Sequence, residues 1–252
     1  MRRYIYFVFL LCCAVNLLLT SCVRQKYVVM DMVHHNPGEA MTESKFLDPS
    51  FLKKNEYGAK VFFLFEAAQF GIDWKSFDPS LFPDTTEAGR WVAEKAEIIH
   101  KKYDAAKKED LQVYCMLDML VLPSLLVEKH RTELTNEQGK LDISKPYTQL
   151  CIRELMKEMF ETFPQLDGLV IRTGETYLHD APYYVGNHPV QNGMYDHITL
   201  INLLREEVCE RRNKKLFYRT WDMGQLHSIP KYYLSVTDSI EPHPNLYFSI
   251  KH

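Results

Sequence analysis

Six short apolar runs, each closed by polar or turn-forming residues, punctuate the chain at 27–33, 60–65, 112–117, 168–172, 215–220 and 246–250. They are too short for stable helices and lack strict alternation, the pattern of strands covered on both faces. Longer amphipathic segments separate them. Over 87–108, Trp91, Ala96, Ile99 and Tyr103 recur at helical spacing. Over 147–163, Leu150, Leu155, Met159 and Phe163 do the same, and Pro164 supplies the stop. A third helix is predicted over 198–212, with Ile201, Leu204 and Val208 on one face and charges on the other, and a shorter one over 123–132.

Strands alternating with helices imply an α/β fold with a parallel sheet. The choice between an open doubly wound sheet and a (β/α)8 TIM-type barrel rests on where the polar residues fall. The first run leads into Asp31, His34 and His35, and the second into Glu66. The third meets Asp118, and the fourth Arg172 and Glu175. The fifth ends at Arg219, Trp221 and Asp222, and the sixth at Lys251 and His252. A parallel barrel points all its strand C-termini to one face, where several strands contribute to one site. The expected architecture is therefore a TIM-type barrel, truncated after the sixth strand because the chain stops at His252. A six-stranded open sheet is the alternative, and in either case residues 23–252 make up the single folded domain.

The segment Asp167–Glu175 carries the most chemistry. An apolar strand runs into Gly174 and then a carboxylate, placing Glu175 at the barrel mouth. Apolar walls favour the protonated form of such a group, which can then act as a general acid. The following loop, 176–189, is rich in tyrosine, histidine and asparagine. Flat aromatic faces such as those of Tyr183, Tyr184 and Trp221 suit a sugar ring, which is apolar on its faces and hydroxylated at its edges. His34, Glu66, Asp118, Arg172, Arg219 and Lys251 complete the candidate substrate-binding set. Gly-x-Gly-x-x-Gly and P-loop signatures are absent, so no nucleotide cofactor is expected. His34 and His35 are adjacent, so their rings point to opposite sides of an extended chain. No metal site is assigned, and a metal-dependent hydrolase using either ring is a separate hypothesis.

Composition changes the picture mainly at the N-terminus. Arg2 and Arg3 precede an uncharged apolar run from residue 4 to 19, shorter than the roughly 20 residues a membrane span needs. Leu19-Thr20-Ser21-Cys22 then sets small residues before a cysteine, the order of a cleavable signal. It resembles the lipobox of bacterial lipoproteins, which implies a signal over 1–22, lipidation at Cys22, export and a membrane anchor facing the periplasm or cell surface. Val23, Arg24, Gln25 and Lys26 lack an acidic cluster, which favours the periplasm-facing case. Cys12 and Cys13 fall in the leader, leaving Cys115, Cys151 and Cys209, which read as small buried hydrophobes rather than disulfide or zinc material. A net charge of −3 gives no basic footprint for nucleic acid.

Three strand ends resemble a known family. The stretch Leu169–Glu175, the run Phe217-Tyr218-Arg219-Thr220-Trp221 and the run Leu246-Tyr247-Phe248-Ser249-Ile250-Lys251 are similar to the catalytic barrel of glycoside hydrolase family sixty-seven, the α-glucuronidases. The resemblance covers residues 167–252, about a third of the chain. It implies a carbohydrate substrate, Glu175 as general acid, and Arg219 and Lys251 on the substrate. Ile171, Arg172 and Thr173 stand where that family has polar residues, and the residue before the glutamate is glycine, so sugar specificity does not carry over. Glycoside cleavage uses a second carboxylate, for which Glu66 and Asp118 both stand open. A non-catalytic glycan-binding lipoprotein using the same mouth, and a fragment that does not fold alone, are the remaining alternatives.

Overall fold

The computed structural model describes residues 28–31, 40, 44–63, 66–174, 176, 178, 180–220, 226 and 228–250. All six apolar runs contribute strands to one sheet: β1 (Met30–Asp31), β2 (Ala59–Phe62), β3 (Gln112–Asp118), β5 (Leu166–Arg172), β7 (Lys215–Arg219) and β8 (Leu246–Ser249). Between them, β4 (Val121–Pro123) and β6 (Tyr184–Gly186) form a separate antiparallel ribbon that the apolar pattern did not reveal. The six strands of the main sheet are parallel and lie in the order β1-β2-β3-β5-β7-β8. A doubly wound sheet reverses its strand order at a switch point, whereas a barrel adds each strand on the same side. This order never reverses and the sheet curls, so the fold is an α/β half-barrel of TIM type.

The helices are α1 (Pro49–Lys54), α2 (Glu87–Lys108), α3 (Ser124–Lys129), α4 (Arg131–Leu134), α5 (Pro146–Thr162), α6 (Met194–Leu204) and α7 (Pro230–Thr237). The bounds of α2 match the hydrophobic period, and the Thr86 side chain caps it by accepting the Gly89 N–H. The helix expected over 123–132 breaks into α3 and α4 at His130. The third predicted helix starts earlier, at Met194, and its last turns, Arg205–Glu210, are π-helical. No described helix is long and apolar enough to cross a membrane.

Two apolar clusters explain why the strands read as continuous hydrophobic runs. Val113, Cys115, Leu117, Leu169, Ile171 and Leu216 face outward into a large core shared with Ile99 and Tyr103 of α2, Ile152, Leu155 and Met159 of α5, and Leu200 and Leu204 of α6. The alternate residues Ala59, Val61, Tyr114, Met116 and Val170 face inward and pack with Met30, Phe63 and Phe217. Period-two alternation thus buries both faces, the helices lying behind the convex one. Burial pushes the thiols of Cys115 and Cys151 up to about 12 and that of Cys209 to about 11, so all three stay protonated and inert at neutral pH. Asp31 also points to the helix side. It is buried and pairs with buried Lys60 at 3.0 Å, and the same ammonium donates to the Phe46 carbonyl at 2.6 Å.

One irregularity sets the phase of the sheet. Val113 pairs with Leu166 but Tyr114 pairs with Gly168, so Asp167 is an extra residue in β5. Its carboxylate accepts the Val113 N–H at 2.7 Å and pairs with Lys107. The bulge rephases β5: Leu166 faces the helices, yet Val170 belongs to the inner cluster. Gly168 follows directly, and a Cβ there would lie 2.1 Å from the Lys215 carbonyl oxygen. Gly168→Ala should therefore force β5 and β7 apart and destabilise the protein by about 3 kcal/mol, the upper range for overpacking. Urea unfolding of the two proteins measures this, and equal midpoints would show that the close approach is not required.

Candidate functional site

The inward phase of the strands carries one register row to their C-terminal edge. Asp118 of β3 pairs with Arg172 of β5, Arg172 with Arg219 of β7, and Arg219 with Ser249 of β8. The row beneath is apolar, with Met116 against Val170 and Phe217 against Tyr247, whose rings stack at 4.8 Å. Charged groups thus stand on a hydrophobic floor, where electrostatic interactions are stronger than in water.

Asp118 and Arg172 meet as a fork. Arg172 Nη2 donates to Asp118 Oδ2 at 2.6 Å, and Arg172 Nε donates to Oδ1. Asp118 is 8 % exposed, so this pair is largely withdrawn from water. A bidentate guanidinium–carboxylate contact fixes the planes of both groups as well as their distance. Arg219 lies beside them, its Nη1 3.9 Å from the Met116 sulfur. Burial, and then the charge of Arg172, pull Arg219 below the usual guanidinium range. Behind the row, on the helix side, Tyr218 is fully buried with its hydroxyl 2.8 Å from His197 Nδ1. Burial holds the Tyr218 phenol far above its ordinary range, so it is neutral. The buried residues Thr173 and Thr220 continue the chain from Arg172 and Arg219 and close the back of the rim.

Three of the expected site residues, Asp118, Arg172 and Arg219, are brought together in this row. Glu66 is elsewhere: its carboxylate pairs with Lys102 of α2 and its backbone oxygen accepts from the Tyr103 hydroxyl at 2.9 Å. Tyr184 is corrected from a ligand-facing ring to a core ring. It is 5 % exposed and packs against Phe70 at 5.0 Å and Phe82 at 5.6 Å, because the ribbon with β4 folds it under the loop. Tyr183 lies edge-on to Trp91 of α2 at 5.7 Å, and its phenol is raised by desolvation and by Glu87. The two tyrosines thus fasten the loop to the helix layer. Glu175, His34, Trp221, Lys251 and Cys22 lie outside the described residues. Among the described residues, no cluster of three or more His, Cys, Asp or Glu side chains is arranged to hold a metal.

Gln69 was not anticipated. It sits in a 3-10 turn, Ala68–Gly71, just beyond β2, and with Asp118 and Arg172 it lines a cleft beside the row. In the sequence it is a single amide within the apolar run Ala67-Ala68-Gln69-Phe70, with nothing to mark it as part of a strand-end site.

No protein-family model matches the chain, and no curated protein sequence does. Among solved structures it is similar to a GH138 enzyme targeting pectin rhamnogalacturonan II, with 14% identity over 88% of this chain and 25% of that one, at a TM-score of 0.48. It is also similar to Dispersin B, with 13% identity over 88% of this chain and 63% of that one, at a TM-score of 0.45. A third is a noncanonic maltogenic α-amylase, AmyB, from Thermotoga neapolitana, with 14% identity over 82% of this chain and 46% of that one, at a TM-score of 0.43. The chain spans less than two thirds of the length of each of these proteins.

Removing one partner of a buried ion pair leaves the other charge uncompensated. Arg172→Met should cost about 3 kcal/mol, and adding Asp118→Leu to it should recover most of that loss. Chemical denaturation of the single and double variants tests the pairing, and a single variant as stable as the parent would remove it as a structural element.

Proposed function

We propose that the mouth formed by the strand ends is a glycan site, and that the chain is the exported, membrane-tethered part of a glycoside hydrolase-type barrel acting on an oligosaccharide or polysaccharide. The observation that carries this is the single register row of Asp118, Arg172 and Arg219 at the C-terminal edge of a half-barrel. Polar groups converging from several strands on one rim are the arrangement from which barrel enzymes build their sites. A carbohydrate offers many hydroxyl oxygens to guanidinium donors, and a uronic acid adds a carboxylate that matches their planar fork. The resemblance of 167–252 to the α-glucuronidases supports the uronic-acid form of this proposal.

In this mechanism Glu175 follows β5 by three residues and donates its proton to the departing glycosidic oxygen. Asp118 does not serve as the base while Arg172 occupies both its oxygens, and instead aligns that guanidinium. Glu66 is likewise engaged by Lys102. These two engagements also favour a second reading, a lipoprotein that binds glycans without cleaving them. Export rests on the charged start, apolar run and Leu19-Thr20-Ser21-Cys22 sequence.

Hydrolysis of a panel of aryl glycosides, including the α-glucuronide, separates the two readings. Turnover that falls at least about 100-fold in Glu175→Gln, with sugar binding retained, is the expected outcome for a general acid. Saccharide binding without any turnover would establish the binding protein instead, and turnover indifferent to Glu175→Gln would remove that residue from the mechanism. For the anchor, Cys22→Ser should abolish incorporation of a labelled fatty acid into the chain in a bacterial host. A parent chain that takes up no label would rule out lipidation at Cys22.

A further inference from the structure

The cleft beside the Asp118–Arg172 pair has a capacity of its own. Gln69, Asp118 and Arg172 line it, with Phe63, Phe70 and Met116 as its apolar walls. Its volume is about 10 Å³, close to the smallest space that holds one water. Gln69 is 2 % exposed, and its side-chain oxygen Oε1 is buried with no hydrogen-bond partner. A buried carbonyl oxygen left unpaired is costly, and native proteins rarely keep one without an occupant or a task.

The turn that carries Gln69 is held at several points. The Ala68 N–H donates to the Cys115 sulfur at 3.1 Å, and the Phe70 N–H to the Ala67 carbonyl at 3.1 Å. The Tyr184 hydroxyl donates to the backbone oxygen of Gln69 at 3.4 Å. Gly71 lies against Ala96 of α2 and the Phe163 ring so closely that a Cβ there would come within 2.8 Å of Phe163. The backbone that carries the Gln69 side chain is therefore fixed before any ligand arrives, which lowers the ordering cost of binding.

We propose that this cleft is a subsite for one hydroxyl group of a bound saccharide, with Gln69 Oε1 as its acceptor, and that Gln69 selects ligands by the position of that hydroxyl. The proposal rests on the glycan reading of the mouth and adds a specificity-determining residue to it. The physical basis is that a site built to bond a hydroxyl discriminates sharply against ligands that lack it, because its own polar group is then left unpaired.

Calorimetric titration of the full chain with methyl α-D-glucuronoside and its 2-, 3- and 4-deoxy forms tests this. One deoxy form should bind the parent protein about tenfold more weakly than the complete sugar, a typical effect of one lost hydrogen bond. Gln69→Leu should bind the complete sugar about tenfold more weakly and no longer distinguish that deoxy form, the non-additivity expected of two groups in direct contact. Its melting temperature should equal or exceed that of the parent, because leucine leaves no buried acceptor, whereas Gln69→Glu keeps an acceptor and should retain discrimination. If the parent binds the sugar and Gln69→Leu binds it equally well, the subsite is wrong while the glycan reading stands. Equal affinity of the parent for all deoxy forms overturns the subsite even if the leucine variant fails to fold. A parent protein that binds none of these sugars overturns both.

Discussion

The carboxylate of Asp167, holding the amide of Val113, is the interaction on which the arrangement of the mouth depends. It stabilises a bulge at the start of β5, and a bulge lets a strand change which residues face inward partway along its length without breaking. Before it, Leu166 faces the helices, and after it Val170 and Arg172 follow the inward phase. If the same residues paired with β3 without the bulge, Ile171 would stand beside Asp118 and Arg172 would be driven into the helix layer. A feature at the bottom of the strand therefore decides the chemistry at its top.

That arrangement sets the character of the rim. Two guanidiniums and one carboxylate share a row above a floor of Met116, Val170, Phe217 and Tyr247. The fork between Arg172 and Asp118 removes conformational freedom from both side chains and fixes the plane of the guanidinium. Arg219, half-buried next to a like charge, is disfavoured as a cation by its surroundings.

Much of the fold was legible in the sequence because the strands are covered on both faces and so read as unbroken apolar runs. The helix α2 was equally clear, since its buried residues Val92, Ile99, Tyr103 and Ala106 keep the helical period and Thr86 marks its start. The ribbon of β4 and β6 was not visible, because three-residue strands leave no periodicity to detect. The early start of α6 is set by Asp196, whose side chain accepts the backbone amides of Gln191 and Asn192 and winds the preceding turn. That Asp118, Arg172 and Arg219 share one edge of the sheet could be read because strand ends are countable from sequence. Tyr184 was misjudged because a tyrosine in a polar loop gives no sign of the neighbour that will cover it. Gln69 was missed for the opposite reason, since one amide among apolar residues looks like ordinary core until its oxygen is seen to lack a partner.

The small ribbon has a mechanical meaning beyond its size. Leu120 and Asn187 exchange backbone hydrogen bonds of 2.8 and 3.0 Å, Ser124 donates to Tyr183 at 2.8 Å, and the Asn187 side chain clasps both the amide and the carbonyl of Leu141. The connection that leaves β3 and the one that leaves β5 are thereby riveted into a single plate. Neither can lengthen, shorten or swing without dragging the other. Drift in this lineage should therefore leave paired marks, an insertion beyond Asp118 matched by one beyond Arg172, while the loops elsewhere on the rim change independently.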